Sequence, residues 1–244
     1  NHTERSVRKF IQSLKLLQRN YLCNYPCDVV VFHEAGLTKA IRERIMAESG
    51  VQFIAVELEF KLPPWIDQSR LNDASFKTFP IGYRHMCRFF ANEVFNHPAL
   101  SKYEYHMRLD TDSYILSPIE YDVFYQFKRR AFWYGYIDNT IMDYPDYVIG
   151  LRDAATQVGH ILGMDTTCLR CESDRKTYYT NFEVCRRSWF QDTEWATYFR
   201  TIDRNGGIYY NRWGDAPIRY MGLRLLMPAI FTHQMRVHYK HQGH

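Results

Sequence analysis

The feature that most narrows the fold is an uninterrupted apolar run, Val29-Val30-Val31-Phe32, set between two helical patterns. Ahead of it, Val7, Phe10, Ile11, Leu14 and Leu17 recur at helical spacing among Arg and Lys, which predicts an amphipathic helix over residues 4–20. Behind it, Thr38 is placed to cap a helix that carries Ile41 and Ile45 and stops at Gly50, and residues 51–60 read as a second strand. A strand without polar alternation is buried on both faces. Helix, strand, helix and strand in that order therefore predict βαβ units: an α/β fold with a mixed, mostly parallel sheet flanked by helices.

Further elements follow the same logic. Residues 82–96 form a helical pattern ended by Pro98, and 103–109 form a strand that runs into Asp110-Thr111-Asp112-Ser113. A strand over 131–137, a helix over 145–162, a helix over 193–204 and a turn at Asn205-Gly206-Gly207 complete the pattern. No linker or repeat interrupts it, so residues 1–244 are expected to form one domain. The chain starts without Met, and is expected to be a portion of a longer protein.

Composition excludes several classes. With 46% apolar and 24% charged residues the chain is globular. Its +4 charge is scattered apart from short groups such as Lys128-Arg129-Arg130, which is no nucleic-acid footprint. The longest uncharged stretches, Ala154 to Met164 and Leu225 to Met235, are 11 residues each, well under the roughly 20 that a membrane span needs. Six cysteines permit disulfides in 15 connectivities, and Asn1-His2-Thr3 is a glycosylation sequon. Cys168-x-x-Cys171 lacks a second pair at zinc-finger spacing, which favours a disulfide or free thiols over zinc.

Five constellations carry candidate chemistry. Asp110 and Asp112 follow a strand end, where two carboxylates hold a divalent cation whose shell is completed by substrate phosphates, or else build an Asx turn. Tyr83, Arg84, His85 and Arg88 open a helix and suit a diphosphate, or form an ordinary helix entry. Glu183 lies among apolar neighbours, either desolvated for catalysis or salt-bridged to Arg186 or Arg187. Trp213 offers a stacking face and Asp215 acceptors for sugar hydroxyls. His233, His238, His241 and His244 end the chain, as a source of a metal-ligating imidazole or as an exposed tail.

Taken together, the chain from about Ser6 to His241 resembles the fungal Golgi α-1,2-mannosyltransferase family. The strongest stretches are Gly82-Tyr83-Arg84-His85-Met86-Cys87-Arg88-Phe89, Asn96-His97-Pro98-Ala99-Leu100, Ile119-Glu120-Tyr121-Asp122-Val123-Phe124, Asn181-Phe182-Glu183-Val184 and the segment from Gly206 to Pro217. The resemblance implies a GT-A fold, a retaining mechanism and Mn²⁺. It also implies GDP-mannose as donor, a glycan or glycoprotein acceptor, and a Golgi-lumenal catalytic domain of a type II membrane protein. It places Asp110 and His241, the latter in Tyr239-Lys240-His241, as metal ligands, and Tyr83 near the donor sugar. Glu183 becomes nucleophile or stabiliser, and Asp215 an active-site acid. Asp110-Thr111-Asp112 replaces the family's Glu-Pro-x-Val, so Asp112 is added for metal or ribose contacts. The family's first nucleotide-binding strand and its N-terminal anchor are expected upstream of residue 1. A UDP-sugar transferase and a catalytically silent glycan-binding domain are the alternatives.

Overall fold

The computed structural model describes residues 3–72, 79–171 and 173–241. Helix α1, Glu4–Leu17, buries Val7, Ile11, Leu14 and Leu17, the apolar stripe read from the sequence, with Thr3 accepting from the Ser6 amide at its start. It widens into a π turn over Gln18–Leu22. Strand β1 (Val30–His33), helix α2 (Lys39–Ser49) and strand β2 (Ile54–Glu57) form the expected βαβ unit, with β1 and β2 parallel. Thr38 caps α2 and Gly50, in the left-handed region at φ 75°, ends it.

Helix α3, Ile81–Arg88, passes through a second π turn, Phe89–Glu93, before it ends at Asn96. Strands β3 (Tyr105–Leu109), β4 (Ser113–Ile115) and β5 (Tyr134–Tyr136), β6 (Phe182–Arg186), β7 (Thr232–Gln234) and β8 (Tyr239–His241) supply the rest of the sheet structure. Helix α4, Val123–Arg130, lies between β4 and β5. The central sheet has order β3-β6-β5-β7, and β4 pairs with β8. Only β1–β2 and β5–β7 are parallel among the described pairs, whereas β3–β6, β5–β6 and β4–β8 are antiparallel. The expected α/β architecture with a mixed sheet is present, and the continuous apolar run belongs to the parallel pair β1–β2.

Three helices pack against this sheet from the second half: α5, Leu151–Ile161, α6, Thr193–Asn205, and α7, Asp215–Leu226. Residues 145–162 are not one helix: a short 3-10 turn at Pro145–Tyr147 is separated from α5 by Gly150 at φ 77°. Helix α7 escapes sequence reading. Pro217 stands in its first turn, where the missing N–H is harmless, and it is buried nearly all round, so no apolar stripe alternates with a polar one. Its Ile218 and Met221 join Trp195, Tyr198, Phe190 and Trp213 in the larger core.

One partly buried group makes this region acid-sensitive. His106 on β3 packs its ring 5.4 Å from that of Phe95, and its Nδ1 finds no hydrogen-bond partner among the described residues. Burial, aided by the charges of Arg219, Arg108 and Arg187, pushes its pKa down to about 3. The unfolded chain takes up this proton near pH 6.5 and the folded one does not, so the stability it confers is complete above pH 6.5 and drains away as pH falls toward 3. At pH 5 this amounts to about 1–2 kcal/mol, the lower figure allowing for the ring's partial exposure. Chemical denaturation at pH 7.5 and pH 5 should show His106→Phe losing less stability than wild type over that interval. Equal losses would exclude His106 as the sensitive group.

Candidate active site

The site is built where β3 ends beside β6. In the antiparallel register Arg108 stands opposite Glu183, and two residues on, the Asp110 amide donates to the Asn181 carbonyl at 3.1 Å. The chain then turns through Asp110-Thr111-Asp112 into β4, whose Ser113 faces His241 on β8. This pairing swings the Tyr239-Lys240-His241 strand onto the DxD turn. His241 Nε2 lies 3.0 Å from Asp112 Oδ1, and Asn181 Nδ2 reaches both Asp110 Oδ2 at 2.8 Å and His241 Nε2 at 3.3 Å. Tyr239 Oη and Ser113 Oγ, 2.5 Å apart, lock the two strands. Asp110, Asp112 and His241, predicted from separate parts of the sequence, thus share one corner, linked by Asn181.

Beneath that corner lies a buried ionic network. Arg108, 7% exposed, donates Nε to Asp110 at 3.0 Å and Nη1 to Asp215 at 2.5 Å, and its Nη1 is 4.0 Å from Glu183. Burial alone would lower the Arg108 pKa, but the three carboxylates of Asp110, Asp215 and Glu183 hold it well above the usual value. For Asp215, burial opposes ionisation, but Arg108 and the Thr180 hydroxyl at 2.8 Å carry its pKa below the carboxylate norm. Glu183, 1% exposed, accepts from Arg219 Nε at 3.2 Å and from the Tyr134 hydroxyl at 3.0 Å. Its partner is therefore Arg219 of α7, not Arg186 or Arg187: Arg186 pairs with Glu104, and Arg187 donates to backbone carbonyls. The π turn at Phe89–Glu93 completes the cage, since the Phe90 and Ala91 carbonyls accept from Arg219 at 2.7 and 3.2 Å. Among the described residues, four carboxylates (Asp110, Asp112, Glu183, Asp215) face three cations (Lys9, Arg108, Arg219), a formal excess of one negative charge.

Tyr83, Arg84 and His85 form a neighbouring group on α3. Tyr83 Oη accepts from Arg212 at 2.9 Å, and burial, with the charges of Cys87 and Asp215, pushes its phenol pKa far up. Arg84, 3% exposed, donates Nη1 to the Tyr209 carbonyl, and burial together with the positive charge of Arg212 brings its pKa down to about 10. Arg84 also lines a cavity of about 630 Å³ with Gln68, Ser69 and Phe79. His85 stacks on Phe60 at 5.6 Å and contacts the Tyr209 hydroxyl at 2.9 Å.

Two expected donor contacts are corrected. Arg88 grips Asp203 with Nε and Nη2, each at 2.8 Å, and pairs with Glu93 through Nη1, so its guanidinium is occupied by protein carboxylates. Trp213 offers no stacking face: it is 1% exposed, donates Nε1 to the Ile149 carbonyl at 2.8 Å and packs on Gly207. His233, on β7 at the edge of the central sheet opposite β3, stacks on Phe132 at 4.4 Å, while Asn1, His2 and His244 lie outside the described residues. All six cysteines are free thiols.

Sequence reading missed Arg108, Arg219, Thr180 and Tyr134. A signal existed for the two arginines. Arg108 precedes Asp110 by two, the same-face spacing of a strand, and Arg219 follows Asp215 by four on what proves to be a helix.

Comparison with known proteins gives this geometry a family. The chain is 28% identical to the probable mannosyltransferase KTR3 of Saccharomyces cerevisiae over 71% of its length and 47% of that relative. It is 25% identical to the glycolipid 2-alpha-mannosyltransferase of the same yeast over 94% of the chain and 56% of the relative. It thus spans roughly half the length of these curated relatives. Among solved structures, core-mannan synthase A of Aspergillus fumigatus in its Mn/GDP form superposes with a TM-score of 0.87 at 24% identity, covering 98% of this chain and 72% of that one. The mannosyltransferase Ktr4p of S. cerevisiae in complex with GDP gives 0.87 at 23%, over 98% and 69%. The fold they share is the GT-A type. The glycolipid 2-alpha-mannosyltransferase family model matches residues 2–244, and the chain belongs to that family.

Proposed function

We propose that this chain is the catalytic part of a retaining glycosyltransferase that moves mannose from GDP-mannose onto a glycan acceptor, forming α-1,2 linkages in the Golgi lumen. The observation that carries the reading is the meeting of Asp110, Asp112 and His241 at the end of β3, in a chain of this family. Relatives crystallised with GDP, one of them in a Mn/GDP form, support the donor and the metal.

The corner fits Mn²⁺. Two carboxylates and an imidazole are donors of the right hardness. The 3.0 Å between His241 Nε2 and Asp112 Oδ1 matches adjacent donors of an octahedral ion at about 2.1 Å each. Among the described residues no three His, Cys, Asp or Glu side chains already converge on one point, so the ion would be held by a pair of these donors with diphosphate oxygens filling its shell. When bound, Mn²⁺ supplies Lewis-acid charge at the departing diphosphate. Arg84, which lines the neighbouring cavity, would add a guanidinium to the phosphates. Glu183, fixed by Arg219 and Tyr134, supplies negative charge to the sugar carbon as the bond to phosphate breaks. Asp215, ionised and held by Arg108 and Thr180, and Tyr83 orient the sugar.

Thermal denaturation tests the reading. GDP with Mn²⁺ should stabilise the protein, by about 2.7 kcal/mol at 100 times its dissociation constant, and more than UDP with Mn²⁺ does; chelation should remove the effect. Equal responses to GDP and UDP would favour another donor, and no response to either would favour a silent domain. Asp110→Asn and His241→Ala should each weaken metal-dependent nucleotide binding by at least the roughly 10-fold that losing an outer-shell partner costs. His233→Ala should not, because its ring is stacked on Phe132.

A further inference from the structure

Two features of the sequence that the catalytic cluster leaves unused, the basic run Lys128-Arg129-Arg130 and His233, meet at a second cavity. It holds about 480 Å³, within the range of about 300–1,000 Å³ that small-molecule sites occupy. Alternation along the strands separates it from the catalytic face. Glu183, Tyr136 and Gln234 stand in one row across β6, β5 and β7, whereas His233 pairs with Gly135 in the next row, so its side chain leaves the sheet on the opposite face. Helix α4 closes over that face. Gly135 makes this possible, since a Cβ there would stand 2.3 Å from Phe127 Cζ.

The lining is aromatic and its charge is of one sign. Phe127 and Phe132 line the cavity, and Phe132 stacks on His233 at 4.4 Å. Ala131, held at φ 55° in the left-handed region, turns the chain from the end of α4 to Phe132, which sets Arg130 and Phe132 on one rim. Arg236, two residues beyond β7, supplies a second guanidinium to the lining, and both arginines are exposed. Lys128 is taken by Glu104 at 3.2 Å, whereas Arg130 and Arg236 form no ion pair among the described residues, and no acidic side chain lines the cavity among them. Burial, and then the charge of Arg130, hold the His233 pKa below its usual value, so the ring is neutral at pH 7 and the charge of the cavity rests on the two arginines.

This arrangement matches a ligand of two parts. Two guanidiniums without carboxylates suit a phosphate, which carries close to two negative charges above pH 7. Aromatic rings beside the Gln126 amide suit a sugar, whose C–H face packs on rings while its hydroxyls meet the amide. We propose that this cavity is a second ligand site that binds a phosphorylated sugar, with the phosphate between Arg130 and Arg236 and the sugar ring against the aromatic lining. It stands on the face opposite Glu183 and does not depend on the transferase reading.

Calorimetric titration of mannose 6-phosphate into the protein in the presence of a chelator, so that no metal holds phosphate at the Asp110 corner, tests the proposal. One molecule should bind. Arg130→Gln and Arg236→Gln should each weaken binding about 10-fold or more, the worth of a hydrogen bond to a charged group, and Asp110→Asn should leave it unchanged. Both arginines are exposed, so their variants should keep the wild-type melting temperature. Inorganic phosphate and methyl α-mannoside, each offering one part of the ligand, should bind at least about 10-fold more weakly than mannose 6-phosphate. Absence of binding, an affinity that inorganic phosphate equals, binding undiminished in both arginine variants, or binding lost in Asp110→Asn would each overturn the proposal.

Discussion

Glu183→Gln is expected to lose transfer by at least about 100-fold, the scale of removing one group that stabilises developing charge in a transition state. The same substitution should destabilise the fold by about 3–5 kcal/mol, because it leaves the fully buried Arg219 without its carboxylate. The two effects are separable. Arg219 is surrounded by the rings of Phe95, Phe190 and Trp195, a pocket that accepts a methionine of similar reach. Replacing a buried ion pair by well-packed apolar and neutral groups is often neutral for stability. The double variant Glu183→Gln/Arg219→Met should therefore recover most of the melting temperature and the GDP–Mn²⁺ affinity, and still fail to transfer. Transfer returning together with stability would reduce Glu183 to the structural partner of Arg219.

The second large effect concerns no charged group. A Cβ at Gly207 would stand 2.3 Å from two Trp213 ring atoms and 2.4 Å from a third. Trp213 cannot retreat: it is buried and its indole nitrogen is tied to the Ile149 carbonyl. Overpacking usually costs about 1–3 kcal/mol where neighbours yield, so Gly207→Ala should exceed about 3 kcal/mol and give little folded protein. Gly82→Ala is the control, with nothing within 4 Å of the added carbon and a helical backbone that favours alanine. It should match or exceed wild type in denaturant midpoint. If Gly207→Ala does as well, the Trp213 packing described above is wrong.

How much of this was legible in the sequence divides along a physical line. The βαβ start, the caps at Thr38 and Gly50, and the carboxylate turn after β3 rest on local periodicity and turn chemistry, and they stand as read. The residues alone leave four histidines open and the family resemblance of Tyr239-Lys240-His241 singles out His241, which strand pairing to β4 brings to Asp112. Failures came where a side chain's fate is set far along the chain. Arg88 looked like a phosphate ligand because Asp203, 115 residues away, was not yet opposite it. Trp213 looked like a stacking surface because burial depends on Gly207 making room. Arg219 was missed because a helix buried on nearly every side shows no stripe, which left its four-residue spacing from Asp215 without a helix to rest on.

The wide turn at Phe89–Glu93 has a further consequence for how this chain can drift over time. One extra residue in a helical turn offsets everything beyond it by about 100° of rotation. Upstream, Arg84 and Cys87 point inward; downstream, Val94 and Phe95 do so on a shifted face. Deleting a single residue there would tidy the helix into a regular one, yet it would turn the Phe90 and Ala91 carbonyls away from Arg219 and rotate Phe95 off Phe190, its stacked partner at 4.0 Å. Substitutions can accumulate through this segment one at a time, but its length cannot change by one, which makes indels between Ile81 and Asn96 a sharper marker of lost function than any single replacement within it.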